Sequence, residues 1–470
     1  MKINMLLIAF MFILFIPQSE SQKMNDGKKA SNKYAEASIK PNFLIILTDD
    51  QTYRAIGYNN ILVKTPNLDK LANEGIIFNR AYTSTPVCTA SRASILTGLY
   101  PQTNGTVALN TDAFIRNIVS ERRYRTLPDF LNDAGYINYF SGKSHLGDPK
   151  DYGFQFGEES FDYIDDKRTF QDVYEFINEP TFGQKPFLIW LAARQPHLPL
   201  KPAQKWLDLY SKTNIPSETN FLEKPPLESF YNQGLPGENF YRDCDYTDNY
   251  KNLPAGPPRS PAVIRDFTKA YYATISHLDF QIGELLAQLK AKDLIKNTVI
   301  IFLSDNGYFL GNHGLGNKLT MQEESVHIPF FIYWDKLRKT HVHSDALVSN
   351  VDILPTILDL TGQSIPDYLQ GKSLRSLFSD PSIQLRKYIV SESVGVGGEL
   401  GTGHRMVVTD KWKYILSDVG DEALFNLEKD PYELKNLIKD KPDQEKRSEL
   451  KSYLMNWKNV TGDKKNIPDK

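Results

Sequence analysis

Cysteine is nearly absent from this chain, with two in 470 residues, Cys88 and Cys244. Two cannot make a disulfide framework, even in an oxidising compartment that would permit one. If they paired with each other, Cys88 would be lost as a nucleophile. Net charge is also nearly absent: 55 Lys and Arg stand against 57 Asp and Glu, leaving −2. That excludes a global attraction to nucleic acid, so any anionic ligand must be met by local charges. No apolar run reaches the ~20 residues of a membrane-spanning helix. The longest, Met5 to Ile16, follows Lys2 and precedes Pro17 and Ser19-Glu20-Ser21, the pattern of a secretory signal peptide over 1–21. With no cysteine beside that exit, a lipid anchor is not expected. The expected location is periplasmic or secreted, with no membrane and no nucleic-acid partner. There is no internal repeat and no long low-complexity tract.

Residues 22–40 are polar and aperiodic and read as a flexible leader. Roughly 450 residues remain, more than one core usually supports, so we expect a large domain over 41–380 and a smaller one over 381–470. Asn42–Thr48, Lys185–Ala193 and Thr298–Ser304 are continuous apolar runs of strand length, as in a parallel sheet buried on both faces. Helical patterns over Thr65–Gly75, Thr126–Ala134, Ala270–Lys290 and Val351–Leu360 alternate with them, and Ile76–Tyr82 and Tyr136–Ser141 read as further strands. The fold class is therefore α/β, a large mostly parallel sheet sandwiched by helices. From Leu385 short alternating segments suit an antiparallel sheet in a C-terminal α+β subdomain. Leu200–Pro261, dense in Pro, Tyr, Asn and Gly, reads as long loops, where specificity usually lives.

Chemistry gathers at the ends of these elements. Pro86-Val-Cys-Thr-Ala-Ser-Arg-Ala-Ser-Ile-Leu-Thr-Gly98 places Cys88 at a helix N-terminus, where backbone N–H groups favour negative charge. Arg92 lies about one turn on. Two strands finish in Asp49-Asp50 and Asp305-Asn306; parallel strands would bring these four side chains to one edge, a hard-oxygen site suited to Ca²⁺ or, second, Mg²⁺. Either pair taken alone reads as the start of a turn, Asp-Asn-Gly being a strong turn signal. Gly142-Lys143-Ser144-His145 follows a strand, His197 stands between Pro196 and Pro199, and His313 and Lys318 share a glycine-rich loop. Lysines, an arginine and histidines around a divalent cation can bind a tetrahedral oxyanion and transfer it.

Taken together, these motifs resemble the formylglycine-dependent (type I) sulfatases of the alkaline-phosphatase superfamily, from Pro41 to about Leu437. Cys88-Thr-Ala-Ser-Arg92 matches the family's C-x-[A/P/S]-x-R signal. Around it, in family order, stand Thr48-Asp-Asp50, Thr65-Pro-Asn-Leu-Asp69, Gly142-Lys-x-His145, Pro196-His-x-Pro199, Ser304-Asp-Asn-Gly307, His313-Gly-Leu with Lys318, and Asp352-Ile-Leu-Pro-Thr356. Leu99 and His327-Ile-Pro329 depart from residues common among relatives.

The resemblance implies an alkaline-phosphatase-like fold and oxidation of Cys88 to formylglycine by a separate maturation enzyme, making position 88 the modified residue. It implies Ca²⁺ held by Asp49, Asp50, Asp305, Asn306 and residue 88, and Arg92 supporting the hydrated aldehyde that acts as nucleophile. Lys143 and Lys318 would clamp sulfate, His197 with Lys318 would protonate the leaving alcohol, and His145 would take a proton as inorganic sulfate is expelled. The implied substrate is a sulfated carbohydrate. Aromatic-rich loops over Phe221–Tyr250 could stack on its rings or simply pack, and His313, His404 and Arg405 are further candidates for binding it. The alternative on the same scaffold is a phosphatase or phosphonate monoester hydrolase, which would favour a second metal or more positive charge, and the chain lacks an obvious second cluster of His and Asp ligands. A sulfated-glycan binding protein without catalysis would lack one of Cys88, Arg92, Lys143, His145, His197 or Lys318; all are present.

Overall fold

In the spatial order of an eight-stranded sheet, Asn42–Thr48 lies between Thr298–Ser304 and Phe187–Ala192 and is parallel to both. The sheet, in a computed structural model, continues on one side through Ile137–Gly142 to Phe156–Glu159. On the other it runs through Phe330–Tyr333 and Ile76–Phe78 to Val342–Ser344. Only Phe330–Tyr333 runs antiparallel to its neighbours, so the sheet is mostly parallel, as expected. The structure describes residues 40–160, 165–233, 260–337, 342–395 and 401–463. The expected signal peptide, nearly all of the leader, and Cys244 lie outside the described residues.

The apolar run Asn42-Phe-Leu-Ile-Ile-Leu-Thr48 is buried at every position because both faces are covered. Phe43, Ile45 and Leu47 point into a core shared with Ala93, Ile95 and Leu96, with Leu127, Phe130 and Leu131, and with Ile353, Leu354 and Ile357. Leu44 and Ile46 point the opposite way, toward Leu68 and Leu71, Phe170 and Val173, and Leu278, Ile282, Leu285 and Leu289. Each such side chain contributes roughly 1.5–3 kcal/mol by leaving water, which fixes strand register against slippage.

Register sets the site. Thr48 pairs with Ser304, Leu47 with Ala192, and Gly142 with Ala192. The carboxyl ends of four adjacent parallel strands are therefore flush, and that is the edge where open α/β sheets bind ligands. Gly142 makes its strand end possible: at φ +104° a Cβ would fall 2.0 Å from the Ala192 carbonyl oxygen, leaving no room for a side chain just before Lys143.

The C-terminal sheet is antiparallel, in the order Ile389–Ser393, His404–Val408, Trp412–Ser417, Glu422–Asn426. One face packs on Leu450, Leu454 and Trp457 of the helix Gln444–Thr461. The other packs on Tyr82, Phe230, Met321 and Val326. Pro41–Lys470 forms one compact unit.

Local departures from the sequence reading have plain causes. Ile76–Tyr82 divides into Ile76–Phe78 and Ala81–Tyr82, the second pairing with Val348–Ser349 outside the main sheet. The long helix begins at Pro261 rather than Ala270 because Ser260 caps it, its side chain accepting from Val263 N–H. Within Leu200–Pro261 a short helix forms at Gln204–Asp208 and a turn at Ser229–Tyr231; residues 234–259 lie outside the described residues. Among the described residues no helix is long and apolar enough to cross a membrane.

Candidate active site

At the end of the central strand, Asp49 is extended onward into Asp50, which sits at φ +66°. That left-handed turn is held by Tyr271, whose hydroxyl donates to the Asp50 carbonyl and accepts Thr52 N–H at 3.1 Å. Next door, one oxygen of Asp305 accepts the N–H groups of Asp50 (3.3 Å) and Asn306 (2.8 Å). The Asn306 amide donates to Asp50 at 2.7 Å. The two acidic strand ends thus form one hydrogen-bonded unit.

Facing them is the helix Cys88–Thr97, which begins at Cys88 after extended Val87 and stops at left-handed Gly98. Every residue of it is buried, including Arg92 at 1 % exposure. The Arg92 guanidinium lies 2.8 Å from Asp305 Oδ2 and 3.6 Å from Asp49 Oδ2, and donates to the Lys143 carbonyl at 2.6 Å. A planar fork with several donors can span three acceptors in this way; an ammonium cannot. Cys88 is free and 2 % exposed, with Lys318 Nζ 3.0 Å from its sulfur. Burial pushes its thiol up to about 12, against the opposing pull of Lys318. An unmodified Cys88 is therefore a protonated, enclosed thiol and a poor nucleophile.

The remaining polar groups come from loops after the neighbouring strands. Lys143 pairs with Asp49 at 2.5 Å, and Lys318 pairs with Asp50. Burial pushes the Asp49 carboxyl up, but Lys143, His197 and Arg92 together outweigh it and hold the group well below the usual range. Asp305 moves the other way, up to about 7, through burial and the charge of Asp49. His197 contacts the Leu198 carbonyl through Nδ1 at 2.7 Å and lies 3.7 Å from Asp50 through Nε2. Donation from Nδ1 leaves Nε2 turned to the acidic cluster. Burial, then Lys143, lowers His197 to about 4 and His145 to about 3, so both rings are neutral near pH 7.

Asp49, Asp50 and Asp305 thus meet Arg92, Lys143 and Lys318. The donor set fits a divalent cation: Asp49 Oδ1 and Asn306 Oδ1 are buried without a hydrogen-bond partner, an arrangement that costs energy unless something polar fills it. Asp49, Asp50, Cys88 and His197 each bring one ligand atom to within 4.8 Å of the others. Asp305 stands outside that group, its oxygens taken by Arg92 and by two backbone amides.

Three candidates are placed elsewhere. His313 lies beside Asn220 (3.0 Å) and Glu324 (3.7 Å) in a second buried group with Glu433, because the Gly311–Gly314 turn directs it away before the chain returns with Lys318. His404 and Arg405 are successive residues of one strand, so they point to opposite faces and cannot share a pocket. His404 is fully buried and donates to the Ser229 carbonyl at 2.9 Å. Arg405 pairs with Asp463 at 2.9 Å and lies 3.8 Å from Glu392. Of the aromatic loop, Phe230 is core and Tyr231 packs on it and on His313; Phe240, Tyr241, Tyr246 and Tyr250 lie outside the described residues.

Other residues of the site were not legible beforehand. Glu159 Oε1 accepts both Ser144 N–H (3.0 Å) and His145 N–H (3.2 Å), holding His145 at φ +60°, a conformation uncommon for a side chain of its size. Asp166 similarly accepts the amides of Arg194 (2.8 Å) and Gln195 (2.7 Å), just before His197. Nothing in the local sequence marks either acid, since the backbone groups each one holds are brought to it by other segments. Glu159→Ala is expected to lower kcat about tenfold by freeing His145, with under about 1 kcal/mol lost in stability because water can replace an exposed acceptor. Glu159→Gln, which keeps an acceptor, should recover most of the rate; kinetics and thermal melts of the two variants check this.

Known proteins resemble this chain in sequence and in fold. The sulfatase family matches residues 41–363, and the family described as N-sulphoglucosamine sulphohydrolase, C-terminal, matches residues 311–460. An arylsulfatase from Clostridium perfringens is 30% identical, with 89% of this chain and 94% of that protein covered. An N-acetylglucosamine-6-O-sulfatase from Bacteroides thetaiotaomicron is 27% identical, covering 90% and 87%. A solved structure of a protein in complex with its substrate D-glucosamine-2-N,6-O-disulfate superposes with a TM-score of 0.77 at 25% identity, covering 92% of this chain and 100% of that one.

Proposed function

The chain belongs to the sulfatase family and is a sulfuric ester hydrolase, and from that premise we propose that it is exported and removes sulfate from a sulfated sugar within a polysaccharide or oligosaccharide. The observation that carries the reading is Cys88 itself, enclosed at the meeting of four strand ends with Lys318 Nζ 3.0 Å from its sulfur. As a thiol it has no useful reactivity; converted to formylglycine, it supplies from its hydrated aldehyde a hydroxyl that can attack sulfur. Because Cys88 to Thr97 are buried throughout, the maturation enzyme must meet this segment before it folds. The sugar is supported by two of the relatives, one named for N-acetylglucosamine 6-sulfate and one bound to a disulfated glucosamine.

Asp49, Asp50, Asp305, Asn306 and residue 88 would hold Ca²⁺, with Mg²⁺ as the alternative, and Asp305 also orients Arg92 and the turn amides. A bound divalent cation draws charge from sulfate oxygens and eases deprotonation of the attacking hydroxyl. Lys143 and Lys318, paired with Asp49 and Asp50, would meet the sulfate oxygens once those carboxylates held a cation. An anionic ester between the lysines raises the proton affinity of His197, whose Nε2 then serves the leaving oxygen. His145 Nδ1 is buried without a partner and stands ready to accept a proton.

Incubation with a panel of sulfated glycans, with products mapped by NMR, tests the substrate class. Faster turnover of phosphate or phosphonate monoesters than of matched sulfate esters would overturn the reaction. Intact mass of a peptide spanning Cys88, taken from the native host, tests the modification; unmodified cysteine in fully active protein would refute it. Dialysis against a chelator is expected to lower kcat/KM by about a hundredfold, the range of a lost electrostatic stabiliser. Ca²⁺ should restore the rate more completely than Mg²⁺.

A further inference from the structure

Lys318 stands on a turn that the backbone does not adopt by preference. Its neighbours Asn317 and Leu319 have φ of +59° and +86°, and for a bulky residue such as Leu319 a positive φ is a genuine outlier that only surrounding structure can impose. Two sets of contacts impose it. The Leu319 side chain is buried against Val87 and Ala90, which flank Cys88, so the turn presses Lys318 toward the start of the Cys88 helix. From the other side the Gln233 side-chain amide, 6 % exposed, donates to both the Gly316 carbonyl (2.7 Å) and the Lys318 carbonyl (2.6 Å).

Gln233 is in turn anchored by the C-terminal sheet. Four residues earlier, Ser229 donates through N–H (3.1 Å) and hydroxyl (2.6 Å) to Asp421, and its hydroxyl also reaches Ser417 at 2.8 Å. Its carbonyl accepts from His404. We propose that Gln233 is a positioning residue for Lys318. In this arrangement the C-terminal sheet, through His404, Ser417 and Asp421, braces the Ser229–Gln233 segment and so holds the Lys318 ammonium between Asp50 and residue 88. This gives the antiparallel sheet a part in catalysis without contributing a group to the substrate, and it gives His404 a role other than substrate binding. The inference rests on the proposed role of Lys318 in sulfate transfer.

A double-mutant cycle on the mature enzyme tests it, with 4-nitrophenyl sulfate as substrate and single-turnover conditions for slow variants. Gln233→Met keeps length and packing but donates to neither carbonyl; Gln233→Glu keeps shape and, ionised, likewise donates to neither. Both are expected to lower kcat/KM tenfold or more in the wild-type background, mostly in kcat, and less than twofold in a Lys318→Ala background, because residues acting as one unit are not additive. Equal fold-losses in the two backgrounds, or Gln233→Met at the wild-type rate, would overturn the brace. Should Gln233→Met fail to fold, Gln233→Glu carries the test. A wild-type enzyme inactive on every sulfate ester would overturn the reaction itself, a different result from full activity without Gln233.

Discussion

Cys88→Ala is expected to leave a folded protein whose sulfate ester hydrolysis has fallen by about 10³-fold or more, the scale on which loss of a nucleophile is felt. The fold should survive because the change removes one sulfur atom at the first position of a helix whose stability comes from the packing of Ala93, Ile95 and Leu96; the loss is on the order of 1 kcal/mol. Thermal melts and single-turnover assays separate the two effects. Cys88→Ser sharpens the test. A serine hydroxyl can attack sulfur, but the resulting sulfate ester must await water, whereas a hydrated aldehyde can expel sulfate with its second hydroxyl. The serine variant should therefore gain the mass of one sulfo group, SO₃, and stall, and a Cys88→Ser enzyme that turns over at the wild-type rate would remove the reason for an aldehyde.

Arg92→Met should damage stability and activity together. The buried guanidinium is the counter-charge to Asp305 and Asp49 and the donor to the Lys143 carbonyl. Methionine matches its length but leaves two enclosed carboxylates undercompensated, a loss of about 3–5 kcal/mol when one partner of a buried pair is removed. Arg92→Lys restores charge without the fork and should fall between. Denaturant midpoints measure the stability loss, and the mass of the residue-88 peptide measures a second consequence. Arg92 also belongs to the C-x-[A/P/S]-x-R signal, so the methionine variant is expected to carry unmodified cysteine. A stable, fully modified and active Arg92→Met enzyme would contradict both roles.

Composition and pattern alone determined a good deal about this protein. Continuous apolar runs at Asn42–Thr48 and Thr298–Ser304 can be satisfied only by a sheet covered on both faces, and they end in acids because the chain must there return to solvent or to a ligand. The short motif around Cys88 and the Lys-x-His loop were legible because their chemistry lies within a few residues, where spacing translates directly into shared turns. Tertiary structure decided whatever depends on register and on partners remote in sequence. Flush strand ends joined Asp50 to Asn306 across more than two hundred residues. Strand alternation separated His404 from Arg405, and a glycine turn sent His313 to Glu324 instead of to Cys88. Glu159, Asp166 and Gln233 became part of the site only because distant segments fold against the backbone amides and carbonyls they hold. A hydrogen bond to a backbone group leaves no mark in the partner's sequence, and for that reason the candidate groups for chemistry were readable from the chain while the groups that hold the backbone around them were not.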